Sequence, residues 1–230
     1  MRYLQITLCL FAVALWACSP NPEQLQSAAE AGDKRAQSKL GDIYYKGLGV
    51  FRDYQKALEW YHKAAFQGDS SAQVALGDIY YGRSYAPADY YGRVVPKDNR
   101  KAFEWYQKAA EQGNSQAQAQ LGHMYYLNYP GVHDNRRKAL EWFQKAAYQG
   151  NSDAQEWLGD MYYFGNGVSL DYQKAFEWYQ KAAKQGNDGA LEQLGLMYYH
   201  GEGVKLDRAK GCKLLHQASI YSYNKHCNSN

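Results

Sequence analysis

From about residue 28 onward, apolar side chains recur every three or four positions, and the same arrangement of them returns along the chain. In Lys56-Ala57-Leu58-Glu59-Trp60-Tyr61-His62-Lys63, the residues Ala57, Trp60, Tyr61 and, one turn on, Ala64 fall at i, i+3, i+4 and i+7. That spacing is one apolar face of a helix. The segment returns at residues 101–108, 138–145 and 174–181 and keeps Trp105, Trp142 and Trp178. A second helical pattern carries Leu40-Gly41, Leu76-Gly77, Leu121-Gly122, Leu158-Gly159 and Leu194-Gly195, each followed three residues on by a tyrosine pair from Tyr44-Tyr45 to Tyr198-Tyr199. One tyrosine of each pair shares the leucine face at i+4, and the other is rotated by about 100°. A glycine inside a helix costs about 1 kcal/mol relative to alanine. Its fivefold recurrence predicts that a neighbouring helix approaches closely there.

Punctuation between the patterns is equally regular. Gly32, Gly68, Gly113, Gly150 and Gly186 end Ala-Ala-x-x-Gly segments at spacings of 36, 45, 37 and 36 residues, and Asp33, Asp69, Asn114, Asn151 and Asn187 follow directly. Glycine can close one helix in a left-handed turn while Asp or Asn caps the next. Gly-x-Gly-Val turns follow the tyrosines at Gly47, Gly165 and Gly201, and Asp53, Asp98, Asp171 and Asp207 are placed to cap the second helix. The reading is a tandem array of helix-turn-helix units.

The start of the chain is patterned differently. Met1-Arg2 is followed by a largely apolar run from Leu4 to Trp16 that is too short to span a bilayer comfortably. It has the layout of a secretory signal, residues 1–17. Ala17-Cys18 resembles the lipobox of bacterial lipoproteins, which implies acylation of Cys18; Trp16 is bulkier than that motif prefers, and a plain signal peptide cut nearby is the alternative. Ser19 after the cysteine implies, by the same resemblance, sorting to the outer membrane, with residues 18–23 as a lipidated terminus and tether in the periplasm.

Composition changes the picture in three respects. With 46% hydrophobic and 21% charged residues the chain has material for a core, and a net charge of +3 argues against a nucleic-acid partner. Twenty-three tyrosines reflect the repetition. Of four cysteines, Cys9 leaves with the signal and Cys18 is assigned to lipid, so Cys212 and Cys227 remain as one pair. They either form a disulfide or stand as a buried Cys212 and a loose Cys227.

The repeated residues resemble the Sel-one-like repeat, a relative of the tetratricopeptide repeat, over roughly residues 28–219. The resemblance implies an all-α fold, a right-handed α-solenoid of about five helix-turn-helix repeats within an array at 24–219. The units lie near 33–68, 69–113, 114–150, 151–186 and 187–219, and a C-terminal tail covers 220–230. Repeat two holds about nine extra residues near 82–90, including Tyr85 and Tyr90, which either contact a partner or are a harmless length variant. The divergent Gly211 to Leu215 segment is expected of a terminal cap.

Family members usually act as adaptors that hold other proteins. Some cysteine-rich relatives bind or cleave β-lactams, but this chain lacks their paired cysteines. No catalytic residues, cofactor or metal site are expected: the six histidines form no His-Glu-x-x-His set, and neither a Gly-x-Ser-x-Gly elbow nor a phosphate loop is present. If tetratricopeptide geometry transfers, the binding groove receives Asp42, Asp78, His123, Asp160 and Leu196 together with Tyr45, Tyr81, Tyr126, Tyr163 and Tyr199, with Glu156 and Glu192 a turn earlier. Such a lining suits a protein partner with a basic segment, the competing reading being that these side chains complete interhelical packing. The functions weighed are a membrane-anchored periplasmic adaptor, in a sharper form an immunity protein against an interbacterial phospholipase, or a component of an envelope assembly or polysaccharide export machine. A periplasmic hydrolase lacks a supporting motif.

Overall fold

The computed structural model describes residues 22–82, 96–127 and 135–227, apart from the side chains of 22–24 and 220. The signal segment, Cys18, Tyr85, Tyr90 and His133 lie outside the described residues. Among those residues all regular structure is helical: α1 Pro22–Glu30, α2 Lys34–Lys46, α3 Tyr54–Phe66, α4 Ser70–Tyr81, α5 Asn99–Glu111, α6 Ser115–Tyr126, α7 Arg136–Tyr148, α8 Ser152–Phe164, α9 Tyr172–Ala183, α10 Asp188–His200, α11 Arg208–Ala218 and α12 Ile220–Cys227. The fold class is an all-α solenoid of helix-turn-helix repeats in which α2, α4, α6, α8 and α10 are first helices and α3, α5, α7, α9 and α11 second helices. Helix α1 starts at Pro22, so the last two residues read as tether are helical. A proline suits the first helical position because its missing N–H has no partner to lose there.

The chain divides into two compact units, with the division falling inside α4 between Leu76 and Gly77. In the first unit Leu25, Ala29, Ala36, Leu40 and Trp60 form the core, with Ile43 and Tyr44 packed against it. Asp33 accepts from the Ala36 backbone N–H at 2.7 Å, and Asp53 and Asp69 cap α3 and α4 in the same way. In the second unit one cluster gathers Ala139, Phe143, Ala146, Ala154, Leu158 and Met161 and another Ala175, Tyr179, Ala190, Leu194 and Met197. Its first helices are capped by Asn114, Asn151 and Asn187, and its second helices by Asp98, Asp171 and Asp207. Asn135, unassigned from sequence, caps α7 through Lys138 N–H at 2.9 Å.

The helix-interior glycines have a specific occupant. A Cβ on Gly41 would lie 2.5 Å from the Tyr61 ring, on Gly77 2.4 Å from Tyr106, on Gly122 2.6 Å from Phe143 and on Gly159 2.4 Å from Tyr179. Each second helix drops an aromatic ring onto the bare backbone of its partner, and at Gly195 Leu215 takes that place.

Junctions between successive repeats are stitched by glutamines that hydropathy does not reveal. Buried Gln37 and Gln73 donate to the carbonyls of Ala29 and Ala65, and Gln118 and Gln155 to those of Ala110 and Ala147, at 2.9 to 3.2 Å. Gln67, Gln149 and Gln185 in turn donate to the side-chain oxygens of Gln37, Gln118 and Gln155. Leu191 stands at the equivalent place in α10, where this chemistry stops. Beyond it, α12 packs on α11 and is joined to it by a disulfide between Cys212 and Cys227, whose Cα atoms are 5.8 Å apart.

Candidate partner-binding face

The residues assigned to a groove from sequence prove to be tied to the second helices and to neighbouring repeats. Tyr61 donates to Asp42 at 2.8 Å within the first unit, and in the second unit Tyr106 donates to Asp78 at 2.7 Å and Tyr179 to Asp160 at 2.6 Å. The tyrosine that fills each glycine thus ends on a carboxylate one residue further along the first helix. Repeat three loses both partners together: Phe143 has no hydroxyl and His123 replaces the acid. Leu215 and Leu196 repeat the substitution in apolar form in the fifth unit.

The second tyrosine of each pair is a packing element with one polar end. Tyr45 meets Tyr54 edge-on at 5.3 Å. Tyr81 is buried, against the expectation of a surface position, because the rings of Tyr106 and His123 close on it. Its hydroxyl lies 3.4 Å from His123 Nδ1. Tyr126 and Tyr163 are half-buried, and each reaches the turn of the following repeat: Asn166 donates to Tyr126, and Tyr163 donates to Glu202. Tyr199 sits beside His226 of α12 and under Arg208. Glu192, expected in the lining, instead accepts from the buried Ser222, and Glu156 accepts from Asn187 at 2.9 Å. Leu196 is half-buried on α10.

Burial sets the electrostatics of α8. It pushes the Asp160 carboxyl up to about 6, against the opposing hydrogen bond from Tyr179 and with the Glu156 charge adding to the rise. Burial also raises Glu156, while its bond from Asn187 lowers it. The Tyr179 and Tyr163 phenols are raised above their ordinary value, again by burial first. Two adjacent carboxylates in such a setting have a standing demand for positive charge.

Sequence reasoning passed over Trp157, which lies between those acids on α8. Its half-buried indole lies 5.0 Å from the His123 ring, 5.2 Å from Tyr126 and 5.8 Å from Phe143, nearly parallel to the last. The signal available was a departure from the repeat, since Lys39, Ala75, Gln120 and Gln193 occupy the same place elsewhere. Among the described residues no three metal-ligating side chains converge, and no helix is long and apolar enough to cross a membrane.

The Sel1 repeat family model matches residues 34–69, 70–114, 115–151, 152–187 and 189–219. Among solved structures, a protective antigen of uropathogenic Escherichia coli displaying an SLR fold is 39% identical, with a TM-score of 0.76 over 87% of this chain and 41% of that one. The chain therefore spans about two-fifths of the antigen's length. A Sel1 repeat protein from Oxalobacter formigenes is 29% identical, with a TM-score of 0.75 over 90% of this chain and 76% of its own. The immunity protein Pa5087 of Pseudomonas aeruginosa, 22% identical with a TM-score of 0.54 over 91% of this chain and 78% of its own, shares the fold. No curated protein matches the sequence.

Proposed function

Because this chain belongs to the Sel1 repeat family, we propose that it is a non-catalytic adaptor, held at the outer membrane by lipid on Cys18 and binding a protein partner in the periplasm. The observation that carries the reading is the acidic and aromatic face of the second unit, where Glu156, Trp157 and Asp160 share one helix with rings from α6 beside them. A carboxylate held up to about 6 by burial is better accommodated when a cation docks against it. The partner therefore presents a basic segment. The apolar leader ending in Ala17-Cys18 supports the anchor.

In its sharper form the adaptor is an immunity protein that neutralises a phospholipase delivered between bacteria, a reading supported by the shared fold of the Pseudomonas immunity protein. Crosslinking in living cells followed by mass spectrometry should recover one dominant periplasmic protein, and deletion of the gene should sensitise cells to attack by siblings. Recovery of a polymer-export channel instead would assign the chain to an assembly machine. Recovery of no protein would remove the adaptor reading, and unchanged survival in competition would remove immunity alone. A Cys18→Ser variant should leave the membrane fraction.

A further inference from the structure

The tryptophans of this chain follow one rule, and one of them breaks it. On the second helices, Lys63, Lys108, Lys145 and Lys181 each lie over the ring of the tryptophan three residues earlier: Trp60, Trp105, Trp142 and Trp178, at 4.0, 4.2, 4.1 and 3.9 Å. Trp157 has Asp160 at that same spacing, and among the described residues no lysine or arginine lies over its ring. Where every other described tryptophan has a lysine over its ring, this one has an aspartate at that sequence spacing and the His123 ring 5.0 Å away.

The surroundings of Trp157 are specialised as well. In repeat three the tyrosine–aspartate pair gives way to Phe143 and His123, and the buried Phe143 ring lies 6° from parallel with the indole. Packing alone does not call for a tryptophan here, since Gln120 occupies the equivalent position in α6 and is buried. An indole presents a negative ring face to a cation, and a guanidinium adds stacking and forked donors that match two carboxylates. Lysine offers only a compact charge.

We propose that Trp157, backed by Phe143, beside His123 and Tyr126 and on the same helix as Glu156 and Asp160, is the seat for an arginine side chain of the partner protein. The inference rests on the adaptor reading and deepens it by naming the residue that anchors the basic segment. Asp160 uses Oδ1 for the Tyr179 hydroxyl, so Oδ2 remains for the incoming donor.

The test titrates the full mature chain with a nonapeptide carrying three arginines among glycines and serines, and with its lysine counterpart, following the indole N–H resonance of Trp157 by NMR. The arginine peptide should move that resonance saturably and bind about fivefold tighter than the lysine peptide. Trp157→Gln, the residue type the array itself places at Gln120 and Gln193, should weaken binding about tenfold with an unchanged helical spectrum. Trp157→Phe should fall between, and serves if the first variant folds poorly. Equal binding of the two peptides, or full binding by a folded Trp157→Gln chain, overturns the seat. Crosslinking in cells separates the two readings: a partner captured equally by wild type and Trp157→Gln overturns the seat while the adaptor stands.

Discussion

At the residue scale Gly159 is constrained by the atoms it lacks. A methyl group there would sit 2.4 Å from the Tyr179 ring, so Gly159→Ala should destabilise the chain by about 1–3 kcal/mol despite the gain in helix propensity, read as a lower midpoint in urea. An unchanged midpoint would mean that the ring moves aside without cost. Asp160 gives a prediction with a sign. Its carboxyl titrates near 6 in the folded chain against 3.8 when unperturbed, so the folded state holds the proton more tightly. Stability from this group is present at low pH and is lost as pH rises from about 4 through 6, up to about 3 kcal/mol. Asp160→Asn should therefore stabilise the chain at pH 7 and flatten that part of the profile, and parallel profiles for variant and wild type would refute the assignment. Leu-Gly followed by tyrosines was legible in the sequence because it repeats. The Tyr61–Asp42 and Tyr179–Asp160 bonds were not, since they span 19 residues across a turn that hydropathy cannot close. Trp157 escaped for the opposite reason: a search for what the repeats share discards a side chain that occurs once.

Elements in this chain are held by caps at their ends and glutamines at their sides. The Asp and Asn caps could be read directly, because each follows a glycine or stands three residues before the first lysine of a second helix. Asn135 was overlooked, since the other second helices begin after Asp. Asn135→Ala should cost about 1 kcal/mol, measurable by thermal melting with reversibility checked, and a loss confined to α7 is expected in hydrogen exchange. The glutamine stitching was invisible because Gln37, Gln73, Gln118 and Gln155 look like surface residues until the preceding helix is placed beside them. Gln155→Leu would take one of two donors from the Ala147 carbonyl, which keeps the Gly150 N–H, and the acceptor from the Gln185 amide, at a cost of about 1 kcal/mol. The faster exchange should appear at the junction of α7 and α8, and uniform protection there would contradict the role assigned to the side chain.

For the molecule as a whole, stability in a repeat array is the sum of local terms, so its ends open first. The disulfide closes a loop of 15 residues and contributes about 3 kcal/mol in the chain-entropy model. Reduction, or Cys227→Ser, should strip protection from α12 and the exposed side of α11 while α8 and α9 keep theirs. Loss of protection across the whole second unit would instead show that the end helix is integral to it. Tandem helical hairpins and their number were plain from periodicity, and the solenoid followed from the family resemblance; the partner-facing chemistry was not legible, because it depends on which carboxylates the packing already uses. The glutamine linkage carries an evolutionary consequence. Each copy of it presents one amide to a backbone carbonyl, a group every sequence supplies, so a gene segment encoding one hairpin can be duplicated or deleted by recombination without inventing a new joint. Lineages could in this way adjust the reach of the protein in steps of a single hairpin while the chemistry at each glutamine seam stays the same.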